Sequence, residues 1–305
     1  LIIKLGEEPV KGMTLQDAVT RMRGEPGTTL TLTIMRDGES APIEIDVERA
    51  IIKVTSIKSR TLEPGYGYVR ITQFQDETGD QFVEAINTLM SENDGDLDGL
   101  IIDVRNNPGG ILQAAVATSD ALLDEGLIVY TEGRIQSSRL RFNAQPGDVS
   151  NGTPVVVLIN GGSASASEIL AGALQDHKRA VVMGTRSFGK GSVQTVIPLD
   201  ETHAIKMTTA RYFTPDGRSI QARGIEPDIT VRPATLTELE GGPFFSEASL
   251  SGHLENGEGD IKPEDREAPS NSEIDRDYQL RSALNLLKGM GILSKQGTKQ
   301  GASQE

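Results

Sequence analysis

Residues 154–175 read PVVVLINGGSASASEILAGALQ, and this stretch decides the fold. PVVVLI is a continuous apolar run of strand length, the pattern of a strand covered on both faces. SEILAGALQ carries helical periodicity. Between them the chain uses only small residues, which let a backbone and a ligand come close at a strand-to-helix turn. Three serines, Ser163, Ser165 and Ser167, alternate there with alanines. A hydroxyl on such a turn raises the question of a nucleophile, and of the base that would serve it.

The same alternation of strand and helix extends outward. Upstream lie the strand GYGYVRI (65–71), the amphipathic helix DETGDQFVEAINTLMSE (76–92) and the buried strand LDGLIIDVR (97–105), which ends at NNPGG (106–110). ILQAAVATSDALL (111–123) reads as a helix and LIVYTEG (127–133) as a strand, followed by a polar, turn-rich segment to residue 152. Downstream, AVVMG (180–184), SFGKGSVQTVIPL (187–199) and AIKMTTARYFT (204–214) read as strands, and PDGRSIQARG (215–224) as a hairpin. This order predicts an α/β core with largely buried strands.

Residues 1–48 differ. They read as strand, helix, strand, strand, with TLQDAVTRMRG capped by Thr14 and stopped at Gly24, and a hairpin turning at Asp37-Gly38. LIIKL at the start reads as the middle of a strand, which implies that the sequence begins inside an element. From about 236 the composition turns acidic and rich in Gly, Ser and Pro, as in a flexible arm. DRDYQLRSALNLLKGMGIL (275–293) then restores helical periodicity through Leu280, Leu284 and Leu287. That helix needs a surface to cover, either its own core or another subunit.

Composition narrows the chemistry. The 305 residues carry a net charge of −14, and an acidic surface repels phosphate backbones, which argues against nucleic acid. There are no cysteines, so disulfides, thiolate metal sites and a cysteine nucleophile are excluded. No apolar run approaches the roughly 20 residues of a membrane helix. The three histidines, His177, His203 and His253, occupy a polar helix end, a turn and the acidic segment, and no zinc-binding spacing links them. None suits a Ser-His-Asp triad, so the next base to consider is a lysine. Lys190, in FGKGSVQ, sits between glycines beside strand-like residues, an odd place for a solvated lysine. GTRSFGKG (184–191) nearly matches a phosphate-binding loop, but Gly191 replaces the required Ser or Thr and a strand pattern follows instead of a helix.

Four motifs, RNNPGG (105–110), NGGSASASEI (160–169), GTRSFGKGSVQ (184–194) and YFTPDGRSIQARGIEPDI (212–229), resemble in order and spacing the C-terminal processing peptidases, or tail-specific proteases. The resemblance runs from about Leu1 to Val231. It implies a Ser-Lys endopeptidase with a ClpP/crotonase-like core, acting on proteins from or near their C-terminal tails and needing no metal or organic cofactor. It implies Ser165 as nucleophile, Lys190 as base (190 − 165 = 25, the family's separation) and Gln194 as third member. Residues 1–50 resemble the second half of a PDZ domain, residues 51–235 the peptidase core with a cap-like insertion near 132–151, and 236–305 an arm and helix serving as a candidate oligomerisation element. Protein or peptide substrates, a candidate adaptor or activator, a homo-oligomer and a bacterial periplasm or cell envelope are further implications.

The residues add their own constraints. SASE also fits a capping box, with Ser165 as N-cap and Glu168 at N3. A helix N-terminus there offers free N–H groups to an oxyanion, so the Ala166 N–H is one expected donor and that of Gly109 or Gly110 the other. A free lysine is neutral in only about one molecule in a thousand near pH 7. Lys190 is therefore expected in an apolar pocket, with Glu168 facing away. In a regular strand Lys190 and Gln194 would lie roughly 13 Å apart, so a bulge or turn is expected near Lys190, bringing the Gln194 oxygen onto its amine. The rival reading is a PDZ-like scaffold on a silent core; an acyl-CoA enzyme of the crotonase group lacks its expected acids on NNPGG.

Overall fold

The computed structural model describes residues 1–50, 55–200, 203–235, 274 and 276–301. The chain divides into two units, Leu1–Thr55 and Ser56–Glu305. The first contains β1 (Ile2–Leu5), β2 (Glu8–Pro9), α1 (Leu15–Met22), β3 (Thr29–Ile34) and β4 (Ile43–Glu48), with the antiparallel sheet ordered β2-β1-β3-β4. Thr14 and Asp17 form a reciprocal capping box that starts α1. The β3–β4 ladder runs from Thr29↔Glu48 to Ile34↔Ile43 and turns through Asp37-Gly38, where Gly38 takes φ 92°.

The second unit contains β5 (Ile57–Glu63), β6 (Tyr66–Ile71), α2 (Thr78–Glu92), β7 (Gly99–Asp103), α3 (Leu112–Asp120), β8 (Leu127–Gly133), β9 (Arg141–Asn143), β10 (Val155–Ile159), α4 (Ala166–Asp176), β11 (Ala180–Gly184), β12 (Ser192–Pro198), β13 (Ala204–Phe213), β14 (Ile229–Thr230) and α5 (Tyr278–Gly301). Its main sheet is ordered β14-β11-β10-β7-β6-β5, parallel throughout except for β5, which folds back on β6. β10 lies between β11 and β7 and is buried at every residue.

Strand periodicity explains why that run is apolar throughout. Val155, Val157 and Ile159 join Leu100 and Ile102 in a core that also takes Phe82, Ile86 and Leu89 of α2 and Leu170 and Leu174 of α4. Val156 and Leu158 face the other way, with Ile101 and Met183, against Leu280, Ala283, Leu284 and Leu287 of α5. The helix left without a surface by the sequence thus covers its own sheet. Each buried leucine contributes about 1.5–3 kcal/mol. Leu287 sits against Gly99, where an added Cβ would come within 3.0 Å of it.

A second, antiparallel sheet is ordered β12-β13-β8-β9. It differs from the sequence reading in two places. The polar segment after β8 contains a short strand, β9, held by pairing such as Val129↔Phe142 rather than by its own pattern. PDGRSIQARG makes one bridge, Phe213↔Ser219, and is a turn rather than a hairpin of strands. Residues 236–273, read as an acidic arm, lie outside the described residues.

Candidate active site

Parallel strands end on one edge of a sheet, where loops from different strands meet. Here the loops after β7, β10 and β11, three neighbouring strands, carry RNNPGG, GGSASAS and SFGKG respectively.

Ser165 occupies the N-cap of α4 with φ 55° and ψ −112°, a conformation that L-residues avoid. Such strain costs about 1–3 kcal/mol and persists where the surroundings impose it. Its neighbours show why the middle serine stands apart. Ser163 is buried, donating to the Val104 carbonyl (2.8 Å) and accepting from the Asn160 N–H (3.0 Å). Ser167 is buried and donates to the Asn107 carbonyl (3.0 Å). Only Ser165 of the three is partly exposed. The Ser167 hydroxyl stitches the serine turn to the RNNPGG loop and that of Ser163 ties it to Val104 just before the loop; the Ala164 N–H on the Asn107 carbonyl (3.0 Å) and the paired side chains of Asn106 and Asn160 (3.0 Å) add to this.

The glycines of that loop are required. Gly109 takes φ 97°, and a Cβ there would stand 2.5 Å from the Ala164 carbonyl oxygen, 2.8 Å from the Ser165 Cβ and 2.9 Å from the Ala166 nitrogen. Gly110 takes φ 148°, and a Cβ there would meet the Phe74 carbonyl oxygen at 1.9 Å. The Gly109 N–H donates to the Asn107 side chain at 2.9 Å. Among the described residues neither the Ala166 nor the Gly110 N–H has a protein acceptor. Gly109 is thus the glycine packed against the serine turn, and Gly110 the one with its donor free.

Glu168 is fully buried. Its Oε2 accepts from the Ser165 and Lys190 N–H groups, each at 2.8 Å. Its Oε1 accepts from the Ser187 hydroxyl and the Gly189 N–H, each at 2.6 Å. One carboxylate therefore holds the backbones of Ser165 and Lys190 together. This corrects the expectation that Glu168 faces away. The reason is backbone accounting: residues 186–191 belong to no strand, so their N–H groups need an acceptor, and buried donors are rarely left without one.

The Lys190 side chain departs from expectation too: Lys190 is exposed rather than enclosed by apolar groups. The expected irregularity is present, with Gly189 at φ 92° and a bulge between Val193 and Gln194. Gln194 is exposed and pairs in register with Thr208. Among the described residues, neither the Lys190 amine nor the Gln194 amide makes a hydrogen bond. The strand β12 that follows Gly191 has no place in a phosphate-binding loop. His177 caps the far end of α4, its Nε2 2.7 Å from the Leu127 carbonyl oxygen, about 18 Å of helix from Ser165 at 1.5 Å per residue. His203 lies beside Asp200 near the tip of the β12–β13 hairpin, and His253 falls outside the described residues.

The sequence profile of peptidase family S41 matches residues 65–231, more than half of the chain. The chain belongs to peptidase family S41. Its fold is of the mixed α/β type. The carboxy-terminal-processing protease of Bartonella bacilliformis is 46% identical over 290 residues, covering 94% of this chain and 67% of that protein. The carboxyl-terminal-processing protease of a Synechocystis species is 39% identical over 75% of this chain, and a probable CtpA-like serine protease of Staphylococcus aureus 34% identical over 76%. The chain spans about half the length of those two, 53% and 46%. Among solved structures, a photosystem II D1 C-terminal processing protease is 32% identical with a TM-score of 0.53, covering 76% of this chain and 62% of that one. An S41 protease from Bacteroides fragilis shares the fold, with a TM-score of 0.54 at 15% identity, over 95% of this chain and 72% of that one.

Sequence reasoning missed the supporting groups of this S41 site. Asn107, Asn160 and Ser187 each bond into the loops described, and their only signal was an Asn or Ser beside a glycine motif. Glu168 was visible as half of a capping box, but its other three donors were not.

Proposed function

We propose that this chain is the catalytic part of an endopeptidase that processes or degrades proteins from or near their C-terminal tails. Ser165 Oγ attacks the scissile carbonyl. Lys190 takes the hydroxyl proton and returns it to the leaving amine, and water then hydrolyses the acyl-enzyme. The Ala166 N–H, with that of Gly109 or Gly110, stabilises the oxyanion at the N-terminus of α4. Gln194 orients the Lys190 amine. The reading requires that amine to turn onto Ser165 Oγ in the substrate complex; catalytic contacts often tighten only then.

The observation that carries this reading is the strained, accessible Ser165 whose backbone shares one buried carboxylate with that of Lys190. The test is cleavage of casein. Ser165→Ala and Lys190→Arg should be inactive, the latter because guanidinium does not act as a base. Ser163→Ala and Ser167→Ala should retain substantial activity, and Gln194→Ala should lose less than Lys190→Ala. Native-rate cleavage by Ser165→Ala would remove Ser165 as the nucleophile, and no cleavage by the native chain would leave the rival reading, a non-catalytic scaffold.

The remaining assignments belong to the same proposal. The first unit is part of a PDZ domain that presents substrate tails by strand addition. The protein works as a homo-oligomer with an adaptor or activator, in a bacterial periplasm or cell envelope. No described helix is long and apolar enough to cross a membrane.

A further inference from the structure

Asp103 ends β7 with its side chain fully buried. A buried carboxylate must be paired. Asp103 accepts from the Tyr68 hydroxyl (2.8 Å), Arg70 (3.0 Å) and the Arg105 N–H (2.9 Å), and from the Arg105 guanidinium at both oxygens (3.0 and 2.7 Å). Burial, and the negative charge of Asp103, push the Tyr68 phenol up to about 12, so it remains a donor.

One guanidinium has a second edge. Arg105 also forks onto Asp277, at 2.9 and 2.7 Å, and reaches the Gln279 oxygen at 3.0 Å. Bidentate Arg–carboxylate pairs are geometrically specific as well as strong. Asp277 at the same time accepts from the Leu280 N–H (3.1 Å), capping α5, and Gln279 donates to the Val231 carbonyl (2.6 Å). Burial works to raise the Asp277 carboxyl, but the hydrogen bonds and charge of Arg105 win and hold it below the usual carboxylate range. The start of α5 is thus tied, across 172 residues of chain, to the residue that immediately precedes Asn106-Asn107-Pro108-Gly109-Gly110.

The far end of that loop is pinned separately. Phe74 donates to the Gly109 carbonyl and accepts from the Ile111 N–H, each at 3.0 Å. The near end is held at Asn106 and Asn107 by the serine turn and Ile71, and one residue earlier by Arg105, whose carbonyl also accepts from Arg70 at 3.3 Å. We propose that Arg105 and Asp277 form a clasp through which α5 sets the position of the oxyanion loop, making Asp277 and Arg105 positioning residues for the reaction. The proposal rests on the proteolytic reading above. Hydrophobic packing alone could seat α5, through Leu280, Leu284 and Leu287. It would not demand a fork shared between Asp103 and Asp277.

The test uses the 305-residue chain and fluorescently labelled casein. Asp277→Asn and Arg105→Lys should lower kcat about tenfold or more with KM changed less than about twofold, part of the roughly 10²–10³-fold worth of one oxyanion donor. Asp277→Glu should recover most of that loss. Leu284→Ala, which loosens α5 without touching the clasp, should keep kcat near native even where its Tm falls further than that of Asp277→Asn. A second readout needs no activity: in a Ser165→Ala background, Asp277→Asn should speed amide exchange over residues 106–111. The clasp is overturned by native kcat in Asp277→Asn, by an equal kcat loss in Leu284→Ala, or by unchanged exchange over 106–111. Full activity in Ser165→Ala alone would overturn the proteolytic reading instead, and the exchange measurement would still decide the clasp.

Discussion

Replacing Glu168 by glutamine keeps the side chain's size and removes one acceptor. The amide must turn its NH2 towards one of two pairs of donors. Facing Ser165 and Lys190, it orphans two backbone N–H groups. Facing Ser187 and Gly189, it orphans at least one, because the Gly189 N–H cannot reverse and Ser187 Oγ already accepts from the Ile225 N–H at 2.6 Å. A buried orphan donor costs about 1–3 kcal/mol, and the surviving bonds drop from charged to neutral strength at about 1 kcal/mol each. Relief from burying a charge offsets part of this. The net destabilisation should be about 2–4 kcal/mol, which for a unit of this size lowers Tm by roughly 5–15 °C. Activity should fall further than stability suggests. Whichever pair is orphaned, the backbone of Ser165 or of the Lys190 loop loses its anchor, and a displacement of about 1 Å in a reacting group costs on the order of a hundredfold. Thermal melts and casein cleavage on Glu168→Gln measure both. A variant with native Tm and with kcat within about twofold of native would refute the argument, since it would mean that the four contacts hold nothing in place.

Ser165→Gly should relieve the φ 55°, ψ −112° strain and raise stability by about 1 kcal/mol in urea unfolding, once glycine's extra unfolded-state entropy is subtracted, while abolishing cleavage; a loss of stability would mean that the serine is at ease there. Gly110→Ala should cost on the order of 3 kcal/mol, because its Cβ meets the Phe74 carbonyl oxygen at 1.9 Å. Gly161→Ala, with nothing within 4 Å of its Cβ, should melt close to the native temperature. For Asp277 the folded value lies below the unfolded one, so its contribution is complete above about pH 4 and is lost as pH falls through the folded value. Urea midpoints between pH 2 and 6 should therefore fall less steeply with acid in Asp277→Asn than in the native chain, and parallel curves would remove this role.

What could be read in the sequence was what repeats at short range. The run PVVVLI announced a strand covered on both faces, and β10 is one. That reading already required a cover for Val156 and Leu158 on the side away from α2, α3 and α4, and α5 supplies it. The periodicity of α5 was visible, but its destination was not, because leucines at helical spacing specify a face and no partner. β9 was missed for the complementary reason: three residues, Arg141 to Asn143, are too few to show a pattern of their own and become a strand only by pairing with β8.

The site divides along the same line. Ser165, Lys190 and the glycines lie in compact motifs, each just after a buried strand, and a parallel sheet brings such positions to one edge. β7, β10 and β11 are neighbours in the sheet, so the three motifs had to meet. What holds them in register is non-local. The Ser165–Glu168 contact spans three residues and could be read as a capping box, but the same carboxylate also holds Ser187, Gly189 and Lys190, from 19 to 22 residues away. The expectation that Glu168 turns away treated it as a charge acting on an amine. In the structure its oxygens are occupied by three backbone N–H groups and one hydroxyl, so Glu168 acts on the lysine's backbone and leaves the amine free to turn.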